Sequence, residues 1–352
     1  MSKRPSLALS ALVISAILAL ALAACAARPK NIQPSIDELR RAPNHQASTF
    51  ASDLAAALAK SVPERLGALP AAVLDIYRKA DGRPDYATYS PSAEERELFA
   101  RYFELLPSAF KAAMNDRLLG IYFIENFAGG GMSDFAFGPG KDSLYSVLIL
   151  NPKVLRMSLV DWIAYRDASP YAADSSGVSL ASACPGGENY FGLIHTLTHE
   201  AAHIYDYVNR ATPFVEPALA RLALGASDPA PKAADSTFAR GVWEGYSKPV
   251  AAYAIPRRSE TAAYGLGTAL PVSVAGDQYR ALASTPFASF YGSGSWAEDF
   301  AEAATWTYLK KKLGIRYEVA VLRGGKEELR FRPDASRWSE ERKAAIEKAI
   351  GP

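Results

Sequence analysis

The stretch Leu193-Ile-His195-Thr-Leu-Thr-His199-Glu200-Ala-Ala-His203-Ile-Tyr-Asp206-Tyr207 decides how this 352-residue chain is read. The chain holds only four histidines, and three of them fall between positions 195 and 203. Gly192 precedes the stretch, and its pattern predicts a helix from Leu193 to about Tyr207. Residues four apart share a helical face, so His199 and His203 aim their rings at one point. Glu200 is turned about one residue step from His199 and stands beside that point. Two histidines so placed are donors for a zinc ion, and the glutamate beside them suits a base acting on metal-bound water. The competing reading is an ordinary helix with buried histidines bonded to backbone. Such spacing in so histidine-poor a chain favours the metal.

Catalytic zinc takes three protein ligands and keeps a fourth position for water. An extended metzincin pattern would need Gly at 206 and His at 209, where this chain has Asp206 and Asn209. His45 is far away in sequence, so the third ligand is expected to be a carboxylate. The segment Tyr291-Gly-Ser-Gly-Ser-Trp-Ala-Glu298-Asp-Phe-Ala-Glu302-Ala-Ala supplies two, four apart, in a helix expected from about Ser295 to Lys312. One of Glu298 and Glu302 can bind metal while the other holds a ligating histidine by its second ring nitrogen. Asp299 points off that face. His195 extends the histidine stripe by one turn and is expected to support the site rather than bind.

With these residues in view, the sequence resembles the catalytic domain of anthrax lethal factor and its gluzincin relatives. The shared features are His-Glu-x-x-His followed by Asp206, and Tyr291-Gly seven residues before the Glu298 of a Glu-x-Phe-Ala-Glu-Ala string. The resemblance implies that Glu298 is the zinc ligand and that Glu302 supports the site. It implies that Tyr291 donates a hydrogen bond to the substrate oxyanion or leaving group. Asp206 is expected either to fix a histidine or to cap local packing. The gap from His203 to Glu298 is longer than in that family, so residues 210–293, rich in Pro, Ala, Gly and Ser, read as an insertion.

The N-terminus carries a separate signal. Lys3 and Arg4 precede an apolar stretch from Leu7 to Ala24 that ends in Leu22-Ala23-Ala24-Cys25. This resembles a bacterial lipobox, which implies a signal peptide at 1–24 and acylation of Cys25. A plain secretory signal or a membrane anchor is the alternative. Residues 25–48, polar and Pro-containing, read as a tether. The protein is therefore expected to be exported and lipid-anchored in the cell envelope, at the outer membrane where the organism has one. Without residues 1–24 the chain has 37 basic and 37 acidic residues. Such neutrality offers no electrostatic case for nucleic acid. Cys184 is the only other cysteine, and no catalytic context surrounds it.

Further elements follow from pattern. Helices are expected over 49–60, 69–79, from Pro91 through Leu106, and over 339–350. Strands are expected over 120–127, at Phe135–Phe137 paired with 144–150, and over 317–322 and 327–331. The Gly129-Gly-Gly run reads as a turn. The expected fold is α+β: a zincin-like catalytic domain over 49–352, with a small, mostly antiparallel sheet, an active-site helix and a second ligand-bearing helix. Strand 145–150 is expected at the sheet edge, where an extended peptide would pair. The expected activity is zinc-dependent hydrolysis of a peptide or protein substrate. The alternatives are a zinc amidase acting on cell-wall peptides, or a silent zinc-containing lipoprotein scaffold.

Overall fold

The computed structural model describes residues 40–140, 144–213 and 232–351. The signal peptide expected at 1–24, Cys25 and most of the tether lie outside the described residues.

Two apolar runs, one rich in aromatic and one in branched residues, form the centre of a four-stranded sheet. Its strands are Ala87–Tyr89 (β1), Leu118–Glu125 (β2), Gly131–Phe137 (β3) and Leu144–Leu150 (β4), in the order β1-β2-β4-β3. β2 and β4 run parallel, and the two outer pairs are antiparallel. Successive side chains of a strand point to opposite faces, and here both faces are buried. Ile121, Phe123, Leu148 and Leu150 enter the larger core, whereas Tyr122, Ile124, Val147 and Ile149 enter a smaller one. The helix Ala71–Asp81 (α1) closes the smaller core with Val73, Leu74 and Tyr77, and Gly82 ends it with a left-handed φ of 63°.

The strand expected at the sheet edge is not there. β4 is flanked on both sides, by β2 and β3, so that the backbone groups of this buried run are paired along both of its edges. The edges are β1 and β3, and β3, which carries Ser133 and Asp134, is the one that lies against the histidine-bearing helix. Residues 40–48, expected to end a tether, instead pack against β3. His45 is 2 % exposed, stacks on Phe135 at 4.5 Å and lies with Nδ1 3.0 Å from the Phe135 carbonyl. Gln46 forms a parallel bridge with Phe137. A strand-edge carbonyl inside the protein needs a donor, and the segment before Ala47 supplies it. The helix expected over 49–60 is two short ones, Ala47–Phe50 and Leu54–Ala59, the second capped by Asp53.

The larger core gathers the helices Ala93–Glu104 (α2), Ser108–Arg117 (α3), Leu159–Ala168 (α4), Leu193–Asn209 (α5), Trp296–Leu313 (α6) and Glu340–Ile350 (α7). Ser92 and Glu95 form a capping box at the start of α2. A second, fully antiparallel sheet of Val178–Ala183 (β5), Glu318–Arg323 (β6) and Lys326–Phe331 (β7) has β6 in the middle. The architecture is α+β. The described part of segment 210–293 is packed rather than loose: Phe238, Trp243, Tyr279 and Phe287 are buried in the larger core. Among the described residues, no helix is long and apolar enough to cross a membrane.

Candidate metal centre

α5 runs through the middle of the molecule, with every residue from Leu193 to Asp206 buried. α6 lies against it. Ser295 caps α6 by accepting from the Glu298 amide, Gly314 closes it in the left-handed conformation, and Lys310 to Lys312 suit the negative end of its dipole. The cap sets Glu298 in the first turn of α6, facing the histidines of α5.

His199 Nε2 lies 3.1 Å from Glu298 Oε2 and 3.1 Å from His203 Nε2, and His203 Nε2 lies 3.6 Å from Glu298 Oε2. These three atoms could hold one metal ion. The other ring nitrogen of His199, Nδ1, lies 3.0 Å from Glu302 Oε1. One carboxylate thus meets each nitrogen of the same ring, and the two glutamates four apart on α6 divide the work between them.

Glu302 is fully enclosed, and its oxygens are shared among four groups. Oε1 faces His199 Nδ1 and His195 Nε2, each at 3.0 Å. Oε2 accepts from Arg166 Nη1 at 2.9 Å and from Trp306 Nε1 at 3.0 Å. Burial works to raise its pKa, yet Arg166 and His195 hold the carboxyl well below its usual range. Arg166 itself is 1 % exposed and also pairs with Asp167, whose other oxygen accepts from Ser182 and Tyr317. His195, His199 and Glu302 form a second group able to hold an ion. Arg166 Nη1 sits only 3.1 Å from His195 Nε2. A fixed cation at that distance repels a metal, so the group with Glu298 is the better site. Burial lowers the pKa of His195 to about 4, which leaves it neutral.

Burial also disfavours a charged His199, but Glu298 and Glu302 overcome this and push its pKa up to about 10. For Glu298, burial acts upward and the histidines, His203 foremost, hold the carboxyl well below its usual range. Two ionised carboxylates in so enclosed a space call for positive charge between them.

Glu200 stands beside the trio. Its side chain is buried, and among the described residues Oε2 has no hydrogen-bond partner. Burial raises its pKa. The edge strand comes very close here: a Cβ added to Gly131 would lie 3.0 Å from Glu200 Cγ, and one on Gly130 would meet Trp162 at 2.7 Å and Thr196 at 2.8 Å. The glycine run expected as a plain turn is therefore also what lets β3 approach α5. Ser133 Oγ donates to the Glu200 carbonyl at 2.9 Å, and Tyr207 donates to the Ser133 carbonyl at 3.2 Å.

Tyr291 has its ring 5.8 Å from that of His199. Arg258 holds the turn behind it through the Phe290 and Tyr291 carbonyls and Ser293 Oγ. Asp206 accepts from Thr212 N at 2.7 Å and Thr212 Oγ1 at 2.6 Å and has no hydrogen bond to the trio among the described residues, although it lies near enough to His203 for their charges to interact. Those bonds serve the chain leaving α5, so holding a histidine falls to Glu302. His45 lies in a separate buried cluster with Asn44 and Asp134. Cys184 is 5 % exposed, and burial pushes its thiol up to about 12, which removes it as a nucleophile.

Arg166 and Trp306 are the site residues that sequence reading passed over. Trp306 was accessible to it, standing four residues after Glu302 on the same helical face. Arg166 has no such signal, being an ordinary-looking charge on a helix remote in sequence. Compared with protein-family models, with characterised proteins and with solved structures, the chain matches none.

Proposed function

We propose that the protein is a zinc-dependent peptidase of gluzincin type, with His199, His203 and Glu298 as the metal ligands. The observation that carries this reading is the convergence of those ligand atoms at 3.1–3.6 Å from one another, with Glu302 on the far nitrogen of His199. Zinc–ligand bonds of about 2.0–2.1 Å in a tetrahedron put ligand atoms roughly 3.3–3.4 Å apart, which the trio matches. A ligating histidine that passes its other N–H to a carboxylate is the usual arrangement around zinc. An ion held there supplies a Lewis acid that polarises an amide carbonyl and acidifies water.

The chain's own groups would do the rest. Glu200, made more basic by burial and free of hydrogen-bonding partners at Oε2, takes a proton from the attacking water. It later returns that proton to the leaving amine. Tyr291, beside His199, donates to the oxygen that gains charge as the tetrahedral species forms. Gly131, at the start of β3, is partly exposed and lies against Glu200, and this end of the strand is where an extended peptide would pair. Beyond Phe135 the edge is closed by His45 and Gln46.

A structural metal site needs neither a glutamate with an unpartnered oxygen beside the ligands nor a tyrosine ring 5.8 Å from one of them, so the peptidase reading is preferred to the silent scaffold. The test is metal analysis of the purified protein together with digestion of an unstructured protein, with and without a chelator. Expected are about one zinc per chain and cleavage that chelation abolishes. A protein that holds zinc and cleaves nothing across a broad peptide library overturns the reading in favour of a scaffold.

A further inference from the structure

Toward the C-terminal end of α6, beyond the metal trio, lies a cavity of about 420 Å³, inside the usual size range of small-molecule sites. Its floor is aromatic and preformed. Trp306 and Tyr317 stack at 4.6 Å with their planes 12° apart. Each is pinned at its polar tip, Trp306 by Glu302 at 3.0 Å and Tyr317 by Asp167 at 2.9 Å. Trp338 is fixed in the same way by the Pro286 carbonyl at 2.7 Å. With those tips engaged inward, only the apolar edges of the rings are left for the cavity, and Ile315 adds to them.

The rim has the opposite character. Lys310, Lys311, Arg316 and Arg332 stand around it, against the single carboxylate of Glu318. Arg332 is spent on Glu318, and Lys311 reaches Glu347. Lys310 and Arg316 make no ion pair among the described residues. The nearby Asp334 is bonded by Ser336 and Arg337, and it also feels the charge of Lys310 without pairing with it. Lysines in the last turn of a helix are ordinary complements to its dipole. Arg316, however, follows the end of α6, and Arg332 comes from the end of β7, so the charges converge from separate elements onto one apolar hollow.

We propose that this cavity binds a single-chain amphiphilic anion. Its carboxylate or phosphate would lie at Arg316 and Lys310, and its apolar body against Trp338, Ile315 and the edge of Trp306. A bilayer face cannot follow a concave floor whose rings are almost wholly buried, whereas one chain can enter. The proposal is independent of the peptidase reading, although Trp306 joins the two sites by its bond to Glu302.

The test is a calorimetric titration of the full-length protein, carried in phosphatidylcholine nanodiscs, with octyl phosphate. Empty nanodiscs are the blank, and quenching of tryptophan fluorescence is followed in parallel. Saturable one-to-one binding on the order of a millimolar or tighter is expected, with octanol and inorganic phosphate each at least about tenfold weaker. Lys310→Glu with Arg316→Glu should weaken octyl phosphate by roughly 10–100-fold, the usual worth of charge-assisted contacts, while the distant Lys326→Glu leaves it unchanged. No saturable binding overturns the proposal, as does equal binding of octanol, or indifference to the double substitution. Binding to phosphatidylglycerol vesicles that the double variant loses, without saturable octyl phosphate binding, also overturns it and marks a bilayer contact.

Discussion

Glu200 and His203 are neighbours on one helix, yet the geometry asks different things of them. His203 contributes a ring nitrogen to the trio, so His203→Ala should remove most of the zinc, read by metal analysis of the purified variant. Glu200 touches no ligand atom by hydrogen bond. Glu200→Gln should therefore keep zinc content and melting temperature near wild type while turnover falls about 10²–10⁴-fold, the range of general-base catalysis. Full peptidase activity in that variant would refute the mechanism. Tyr291→Phe should also retain metal and lose a smaller factor, because zinc still supports the oxyanion.

Among the elements, α6 decides how the site is held. Its first turn places Glu298 at the proposed metal site, and its second buries Glu302 among four donors. Glu298→Ala should abolish zinc binding, whereas Glu302→Ala should weaken it by roughly 10–100-fold, as removal of a ligand's supporting partner does. Metal titrations that give equal, negligible effects would leave the third ligand unassigned. α4 is tied to the same cluster through Arg166. Arg166→Met strands Glu302 and Asp167 as buried charges, and denaturant unfolding should show a loss of about 3–5 kcal/mol. The close approach of β3 to α5 is equally specific. Gly131→Ala puts a methyl group 3.0 Å from Glu200 Cγ. It should displace that side chain, lowering turnover with zinc content preserved.

For the molecule as a whole, the core supplies the stability: Cys184 is a free thiol, and Cys25 is the only other cysteine of the chain. Cys184 is enclosed, with its thiol pushed up to about 12. Iodoacetamide at neutral pH should leave it unmodified in the folded protein and alkylate it after denaturation. Labelling of the native state would mean that the packing around β5 opens. The anchoring expected at Cys25 is tested separately. Cys25→Ser should release or mislocalise the protein, and the wild type should carry a lipid-linked mass. Unchanged fractionation without such a mass would point to an uncleaved anchor.

Much of the site was legible in the sequence because it rests on local helical geometry. A spacing of four puts His199 with His203 on one face, and Glu298 with Glu302 on another, whatever surrounds them. The long apolar runs of β2 and β4 likewise announced strands. The short α4 and the small-residue strand β5 announced little, because tertiary cover rather than local pattern holds them. Which side chains meet across elements was decided by tertiary structure alone. Arg166 reaches Glu302 across 136 positions of chain, Asp206 turns to Thr212, His45 folds back onto β3, and β3 rather than β4 takes the sheet edge. Periodicity specifies the face a residue occupies, while the partner that face meets depends on how the layers close around the buried charge.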